Sequence, residues 1–166
     1  MTRPLNRPST WTGASPGRAC ADRVSGFAPG VRILTAEGLI PVEFLGAGDR
    51  IVTRDGLRAL TAIETRQATG LSLCRINPGT FGHDLPMRPC VISPATPLLF
   101  RGWRARAIYD RPAALVAGGR LAGGGAIERL APGAARTLLS LVFETAQIVY
   151  AEGLEIGVPA PVRAAA

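Results

Sequence analysis

Lysine is missing from this sequence, and histidine is almost missing. All 19 basic residues of the 166-residue chain are arginine, and His83 is its single histidine. The arginines are scattered one at a time, in a background of Ala, Gly and Pro that GC-rich coding produces. Because a nucleic-acid footprint is expected to be clustered, the net charge of +7 does not favour a nucleic-acid partner. A single histidine also argues against a His-based metal site, and we expect no metal and no cofactor.

Cysteine is scarce, and long apolar runs do not occur. Cys20, Cys74 and Cys90 are odd in number and form no Cys-x-x-Cys pair, so neither a disulfide framework nor a zinc motif is predicted. The sequence has no run of about 18 apolar residues and no secretory signal peptide, so no membrane span is expected. These features favour a reduced, cytoplasmic protein, with export by a route without a cleaved signal left open.

Aromatic residues make up only 5% of the chain, whereas glycine and proline number 20 and 14. This balance is typical of a turn-rich β protein whose core consists of Leu, Ile, Val and Ala. Short β-branched segments such as residues 31–35 and 50–54 alternate with turn signals, of which Asp55-Gly56 is the strongest. The sequence therefore predicts an all-β fold.

We predict one short helix, at residues 111–122. Pro112 suits a first helical turn, and Gly123 would end the helix. Residues 101–109 are instead predicted to form a turn and a strand. The glycine-rich run at 118–125 has no lysine and follows no predicted strand, so we interpret it as a helix end and a linker rather than a phosphate-binding loop.

Residues 26–56 carry glycine, proline, threonine and acidic residues in a specific order and spacing. The set is Gly30, Ile33, Thr35, Gly38, Pro41, Val42, Glu43, Leu45, Gly48, Asp49, Val52, Thr53, Asp55 and Gly56. This segment resembles the first block of the Hint (Hedgehog/intein) domain, most of all that of bacterial Hint-domain proteins. Residues 85–100 and 138–157 resemble two later blocks.

The resemblance implies a pseudo-symmetric, horseshoe-like all-β domain. We expect it to occupy residues 26–157. A flexible leader at residues 1–25 would precede it, and a tail at residues 158–166 would follow it.

The family's chemistry, as the resemblance implies it, requires a nucleophile at the first residue and histidines that assist. The nucleophile attacks the preceding carbonyl, and the histidine of a Ser-x-x-His element protonates the amide nitrogen. Here Gly26 occupies the nucleophile position, and Thr96 replaces the histidine of the element that begins at Ser93. The two histidines of the last block fall on Ser140 and Ala146.

These replacements predict a degenerate domain with no catalytic residue. We expect it to act as a binding or scaffold module for a protein or peptide, with the old active site near Gly26 as its remaining concavity. Protein splicing is not expected, because no Asn or second nucleophile follows Gly157.

Two other functions stay open from the sequence. Residual self-cleavage near the Ser25/Gly26 junction would use Ser25 or Cys20 as the nucleophile. An arginine-rich, nucleic-acid-binding β-barrel would use the basic excess. The remaining reactive residue types, His83 beside Asp84 and the thiols Cys74 and Cys90, are interpreted as loop and core residues.

Overall fold

A computed structural model describes residues 24–161 of the chain. Cys20 and most of the predicted leader therefore lie outside the described residues, as does the end of the predicted tail. Within residues 24–161 no helix is long and apolar enough to cross a membrane.

The described residues form thirteen β-strands and two short helices. The strands are β1 (Arg32–Thr35), β2 (Gly38–Pro41), β3 (Arg50–Thr53), β4 (Gly56–Ala59), β5 (Ala62–Ala68), β6 (Cys74–Ile76), β7 (Cys90–Ile92), β8 (Pro97–Arg101), β9 (Ala113–Ala117), β10 (Ile127–Arg129), β11 (Arg136–Val142), β12 (Gln147–Ala151) and β13 (Leu154–Val158). The helices are α1 (Trp103–Tyr109) and α2 (Gly118–Leu121). A 3-10 turn at Val42–Phe44 follows β2. The predicted all-β fold class is confirmed.

The strands form three sheets. Eight of them make one sheet in the order β2-β1-β3-β12-β13-β8-β9, with β4 paired to β3. A three-stranded sheet has the order β10-β6-β7, and β11 pairs with β5 along seven residue pairs. Phe27 forms single β-bridges to Ile92 of β7 and to Leu139 of β11, so it connects the two smaller sheets. Its ring belongs to the main cluster of buried apolar side chains.

Two hairpins of the large sheet use the same turn. Thr35 accepts a hydrogen bond from the Glu37 N–H and donates one to the Gly38 carbonyl, at 3.1 and 2.8 Å. Thr53 makes the same pair of bonds with Asp55 and Gly56. Both glycines have positive φ, 111° and 92°, which only glycine adopts without strain. The turn predicted at Asp55-Gly56 is therefore present.

The prediction for residues 101–122 was wrong in both halves. Residues predicted as a strand form α1, and residues predicted as a helix form β9 followed by one turn, α2. Ala and Arg are good helix formers, so the alternation in residues 103–109 did not mark a strand. In β9, pairing with β8 outweighs the helix propensity of its alanines. Because α2 follows β9 directly, the statement that the glycine run follows no strand is also corrected.

Two further boundaries differ from the expectation. Residues 57–67 form parts of two strands, β4 and β5, which are separated at Leu60 and Thr61. The last strand, β13, continues to Val158 and pairs with both β12 and β8. Gly157, where the domain was expected to end, lies inside β13, and an added Cβ there would lie 3.0 Å from Pro97 Cγ.

Candidate functional site

Residues 24–28, hereafter the entry segment, lie between β7 and β11. The N–H of Phe27 donates to the Leu139 carbonyl at 2.8 Å, and the Leu139 N–H donates back at 2.9 Å. On the other side, the Ala28 N–H donates to the Val91 carbonyl at 3.0 Å, and the Ser93 N–H donates to the Gly26 carbonyl at the same distance. The entry segment is thus held like a short strand between two others.

Three hydroxyl groups bind the backbone on either side of the Ser25–Gly26 peptide bond. Ser93 Oγ donates to the Val24 carbonyl at 2.5 Å, and Ser140 Oγ donates to the Ser25 carbonyl at 2.6 Å. Thr96 Oγ1 accepts from the Gly26 N–H at 2.9 Å. The structure therefore brings Gly26, Ser93, Thr96 and Ser140 together, as the resemblance implied.

The environment of Gly26 leaves little room for a side chain. A Cβ at this position would lie 3.1 Å from both the Leu139 carbonyl oxygen and Ser140 Oγ. Both distances are tighter than an ordinary van der Waals contact, so a serine or cysteine would require one of these atoms to move. The Ser140 hydroxyl and the Leu139 carbonyl therefore border the position that, by the resemblance, would carry a nucleophile.

The hydroxyls of this site are bound to the backbone and to one another. Ser93 uses its proton for the Val24 carbonyl, and Thr96 Oγ1 lies 3.0 Å from Ser93 Oγ and 3.1 Å from the Gly26 carbonyl. Although they form hydrogen bonds, serine and threonine hydroxyl groups do not transfer protons as general acids near neutral pH. The arrangement can hold a peptide bond, and the side-chain group that faces the amide nitrogen of Gly26 is the Thr96 hydroxyl.

Replacing Thr96 with valine is expected to lower the free energy of unfolding by about 1–3 kcal/mol, because the buried Gly26 N–H loses its acceptor. Amide hydrogen exchange at Gly26 should also become faster. The matched control is Thr137→Val, which removes an exposed hydroxyl that accepts a bond from Gln67. Equal losses in the two variants, measured by chemical denaturation, would contradict this role of Thr96.

Sequence reasoning missed two residues that position this site, Gly118 and Gly119. Their N–H groups donate to the carbonyls of Thr96 and Pro94, each at 2.9 Å. An added Cβ would lie 2.9 Å from Ile92 Cδ1 at Gly118 and 2.9 Å from Pro94 Cβ at Gly119. The paired glycines therefore allow α2 to lie against the turn that carries Ser93 and Thr96. The only signal in the sequence was that the two glycines are adjacent, and we interpreted this glycine-rich run as a helix end and a linker.

Ala146 is not part of this cluster. It lies in an exposed turn after the end of β11, six positions beyond Ser140. Ser25 is half-buried and reaches the site through its carbonyl. His83 is exposed in a loop with a φ of 42°.

Two clefts of the described surface lie away from Gly26. One, of about 310 Å³, is lined mainly by residues of β8, β12 and β13 and by Phe81. Another, of about 560 Å³, lies between β4 and the turn after β11. Neither cleft is lined by Gly26, Ser93, Thr96 or Ser140. Within residues 24–161, no group of three or more His, Cys, Asp or Glu side chains is placed to hold a metal ion.

The thiols of Cys74 and Cys90 are buried and free. Burial raises the pKa of Cys90 to about 12, and it also raises the pKa of Cys74, against which Arg129 acts in the opposite direction. In a Cys20→Ser background, iodoacetamide is expected to label neither thiol in the folded protein and both in denaturant. Labelling of either thiol under native conditions, detected by mass spectrometry, would contradict their burial.

The same shift gives a dependence of stability on pH. Below the unfolded thiol pKa of about 9, Cys90 is protonated in both states and contributes its full stabilisation. Between pH 9 and the folded value of about 12, the unfolded chain ionises first. The free energy of unfolding should therefore fall over this range, and less so in a Cys90→Ala variant.

The comparisons with known proteins agree with this architecture. The family model described as "Hint domain" matches residues 25–157. A bacterial intein-like domain from Clostridium thermocellum aligns with a TM-score of 0.57 at 15% identity, over 79% of this chain and 96% of that one.

Two inteins are also similar. The gp41-1 intein has a TM-score of 0.51 at 12% identity, over 80% of this chain and 97% of its own. The MchDnaB-1 intein has the same TM-score and identity, over 79% and 98%. No curated protein sequence matches. At these identities the structural likeness shows the fold, whereas the family model covers most of the sequence. The chain therefore belongs to the Hint domain family.

Proposed function

We propose that this chain is a non-cleaving Hint domain that holds its own entry segment and serves as a binding or scaffold module. The observation that carries the proposal is a glycine at the nucleophile position, with little room around it for a side chain. A residue without a side chain cannot attack the Ser25 carbonyl, and a Cβ added at Gly26 would lie 3.1 Å from both the Leu139 carbonyl oxygen and Ser140 Oγ.

The contacts around the Ser25–Gly26 bond support holding rather than cleavage. Ser140 donates to the carbonyl in the way that an oxyanion donor would. The amide nitrogen faces Thr96 Oγ1, however, and a threonine hydroxyl is not an acid near neutral pH. We propose that the domain comprises residues 26–157 and that its partner is a protein or a peptide. We also propose that the protein is located in the cytoplasm, where the free thiols of Cys74 and Cys90 would stay reduced.

The test is the intact mass of the purified full-length protein during storage. We expect the full mass to persist for days in buffer, in a thiol such as dithiothreitol, and in hydroxylamine, because no ester or thioester forms for these reagents to open. A Ser25→Ala variant should be equally stable. Loss of the N-terminal segment on any of these treatments, in the wild type but not in Ser25→Ala, would overturn the proposal.

Self-cleavage by Ser25 is the second candidate, and one contact favours it. The Val24 carbonyl, which directly precedes Ser25, accepts the 2.5 Å hydrogen bond from Ser93 Oγ. Attack by Ser25 Oγ on this carbonyl carbon would give an ester as the Ser25 nitrogen leaves with a proton, and water would then hydrolyse the ester. A fragment that begins at Ser25, the residue after the broken bond, and that is lost in Ser25→Ala would establish this activity.

A further inference from the structure

Helix α1 presents two large apolar side chains to solvent. Trp103 is 74% exposed and Ile108 is 64% exposed, and neither is part of the site at Gly26. The helix is attached through its other side, where Ala105 is fully buried and the Tyr109 ring lies 6.3 Å from the Phe100 ring. The exposure of Trp103 and Ile108 is thus a property of a helix that is packed in place.

Helical geometry defines what else shares this surface. At 100° per residue, Trp103 and Ala107 point away from the side that carries Ala105 and Tyr109, and Arg104, Arg106 and Ile108 flank them. We call the four exposed residues the α1 face: Trp103, Arg106, Ala107 and Ile108. Arg104 is half-buried, and its guanidinium donates to the Phe81 carbonyl at 2.7 Å. Around the helix the order is Arg106, Trp103, Ala107, Arg104 and Ile108, so apolar and arginine positions alternate on this surface.

The charge of the α1 face is positive. The helix contains no acidic residue, and Arg111 follows it closely. Asp110 is the single acidic residue from 101 to 111, and the charge of Arg101 is already paired with Glu155. The Arg104 guanidinium lies 5.4 Å from the centroid of the Trp103 ring while it donates to the Phe81 carbonyl, so a cation held by the fold lies beside the exposed indole.

We propose that the α1 face binds the surface of a lipid bilayer that carries anionic headgroups. Exposed Trp beside Arg is the combination that lies at a membrane interface, with the indole among the headgroups and the guanidinium groups on phosphate. The exposed Ile108 favours a bilayer over a nucleic acid, because an aliphatic side chain gains nothing from phosphate or from stacking on a base. The helix lies along the surface and does not span the membrane.

The test uses full-length protein and vesicles of phosphatidylcholine with or without phosphatidylglycerol, separated by sedimentation. We expect binding to the vesicles that contain phosphatidylglycerol, much less to pure phosphatidylcholine, and release by high salt. Arg106→Ala and Arg111→Ala should each weaken binding about five-fold, and Trp103→Ala roughly ten-fold or more. In a Trp11→Phe background, the emission of Trp103 should shift to shorter wavelength on binding.

Phe44→Ala is the matched control. Phe44 is 75% exposed and lies in the 3-10 turn beside Glu43, with no arginine in that turn. Its replacement should leave vesicle binding unchanged. Neither Phe44→Ala nor Trp103→Ala should alter the thermal unfolding midpoint, because both side chains are exposed. No binding to either kind of vesicle, equal binding to both, or equal losses in Trp103→Ala and Phe44→Ala would overturn the proposal. A salt-sensitive gel shift with DNA or RNA and no vesicle binding would do the same.

Discussion

Replacing Arg32 with alanine is expected to lower the free energy of unfolding by about 3 kcal/mol or more. The carboxylate of Glu152 is 1% exposed, and the Arg32 guanidinium donates to both of its oxygens at 2.8 to 3.2 Å. Without the arginine, a buried negative charge keeps only the bond from the backbone N–H of residue 32, at 2.9 Å. Chemical denaturation monitored by circular dichroism measures the loss.

The control for this variant is Arg101→Ala, which breaks a second arginine–carboxylate pair of the large sheet. The Arg101 side chain is half-exposed, so its bond to Glu155 lies at the surface. We expect a loss of about 1 kcal/mol or less there, since exposed ion pairs contribute little. A loss at Arg32 no greater than that at Arg101 would show that the buried pair does not stabilise the sheet.

Replacing Phe27 with alanine is expected to cost about 3–5 kcal/mol, because a fully buried ring would leave a cavity in the main core. Phe27 also fixes the register of the entry segment through its bridges to Ile92 and Leu139. Hydrogen exchange at Gly26, one position before it, should therefore become faster than in the wild type even when the protein is still folded.

The exposed Phe44 again provides a comparison of the same residue type. Phe44→Ala should change the stability by no more than about 0.5 kcal/mol, as is usual for surface substitutions. If Phe27→Ala destabilised the protein without faster exchange at Gly26, the ring would stabilise the core without holding the site.

Local chemistry explains which parts of the fold could be predicted from the sequence. The turns at Gly38 and Gly56 could be predicted from the sequence, because each has a positive φ that favours glycine. In each turn a threonine hydroxyl three residues earlier donates to the glycine carbonyl. The class of fold followed from turn residues at short intervals. These signals depend only on neighbours in the sequence.

Residues 101–122 could not be predicted in the same way, because partners distant in the chain decide their structure. Ala113–Ala117 is a strand only because β8 is beside it. Gly118 and Gly119 are required by the approach of Ile92 and Pro94, which no local pattern reveals. A pattern that reports local preference is overridden by such contacts.

The candidate site could be predicted in part. Gly26, Thr96 and Ser140 do meet at one peptide bond, and the resemblance placed them there. Ala146 could not be placed correctly, since it depends on the path of the turn after β11. The closeness of Ser140 Oγ to Gly26, 3.1 Å from the position of an added Cβ, depends on how β11 packs against the entry segment, and no sequence pattern reveals it.

The binding of the entry segment on both sides has a mechanical consequence. A pulling force applied through any polypeptide attached before Val24 would act along a segment bonded to Ser93 and Val91 on one side and to Ser140 and Leu139 on the other. Several hydrogen bonds would then carry the load in shear at the same time, with the Phe27 ring anchored behind them. The entry segment therefore distributes such a force over two neighbouring strands rather than one.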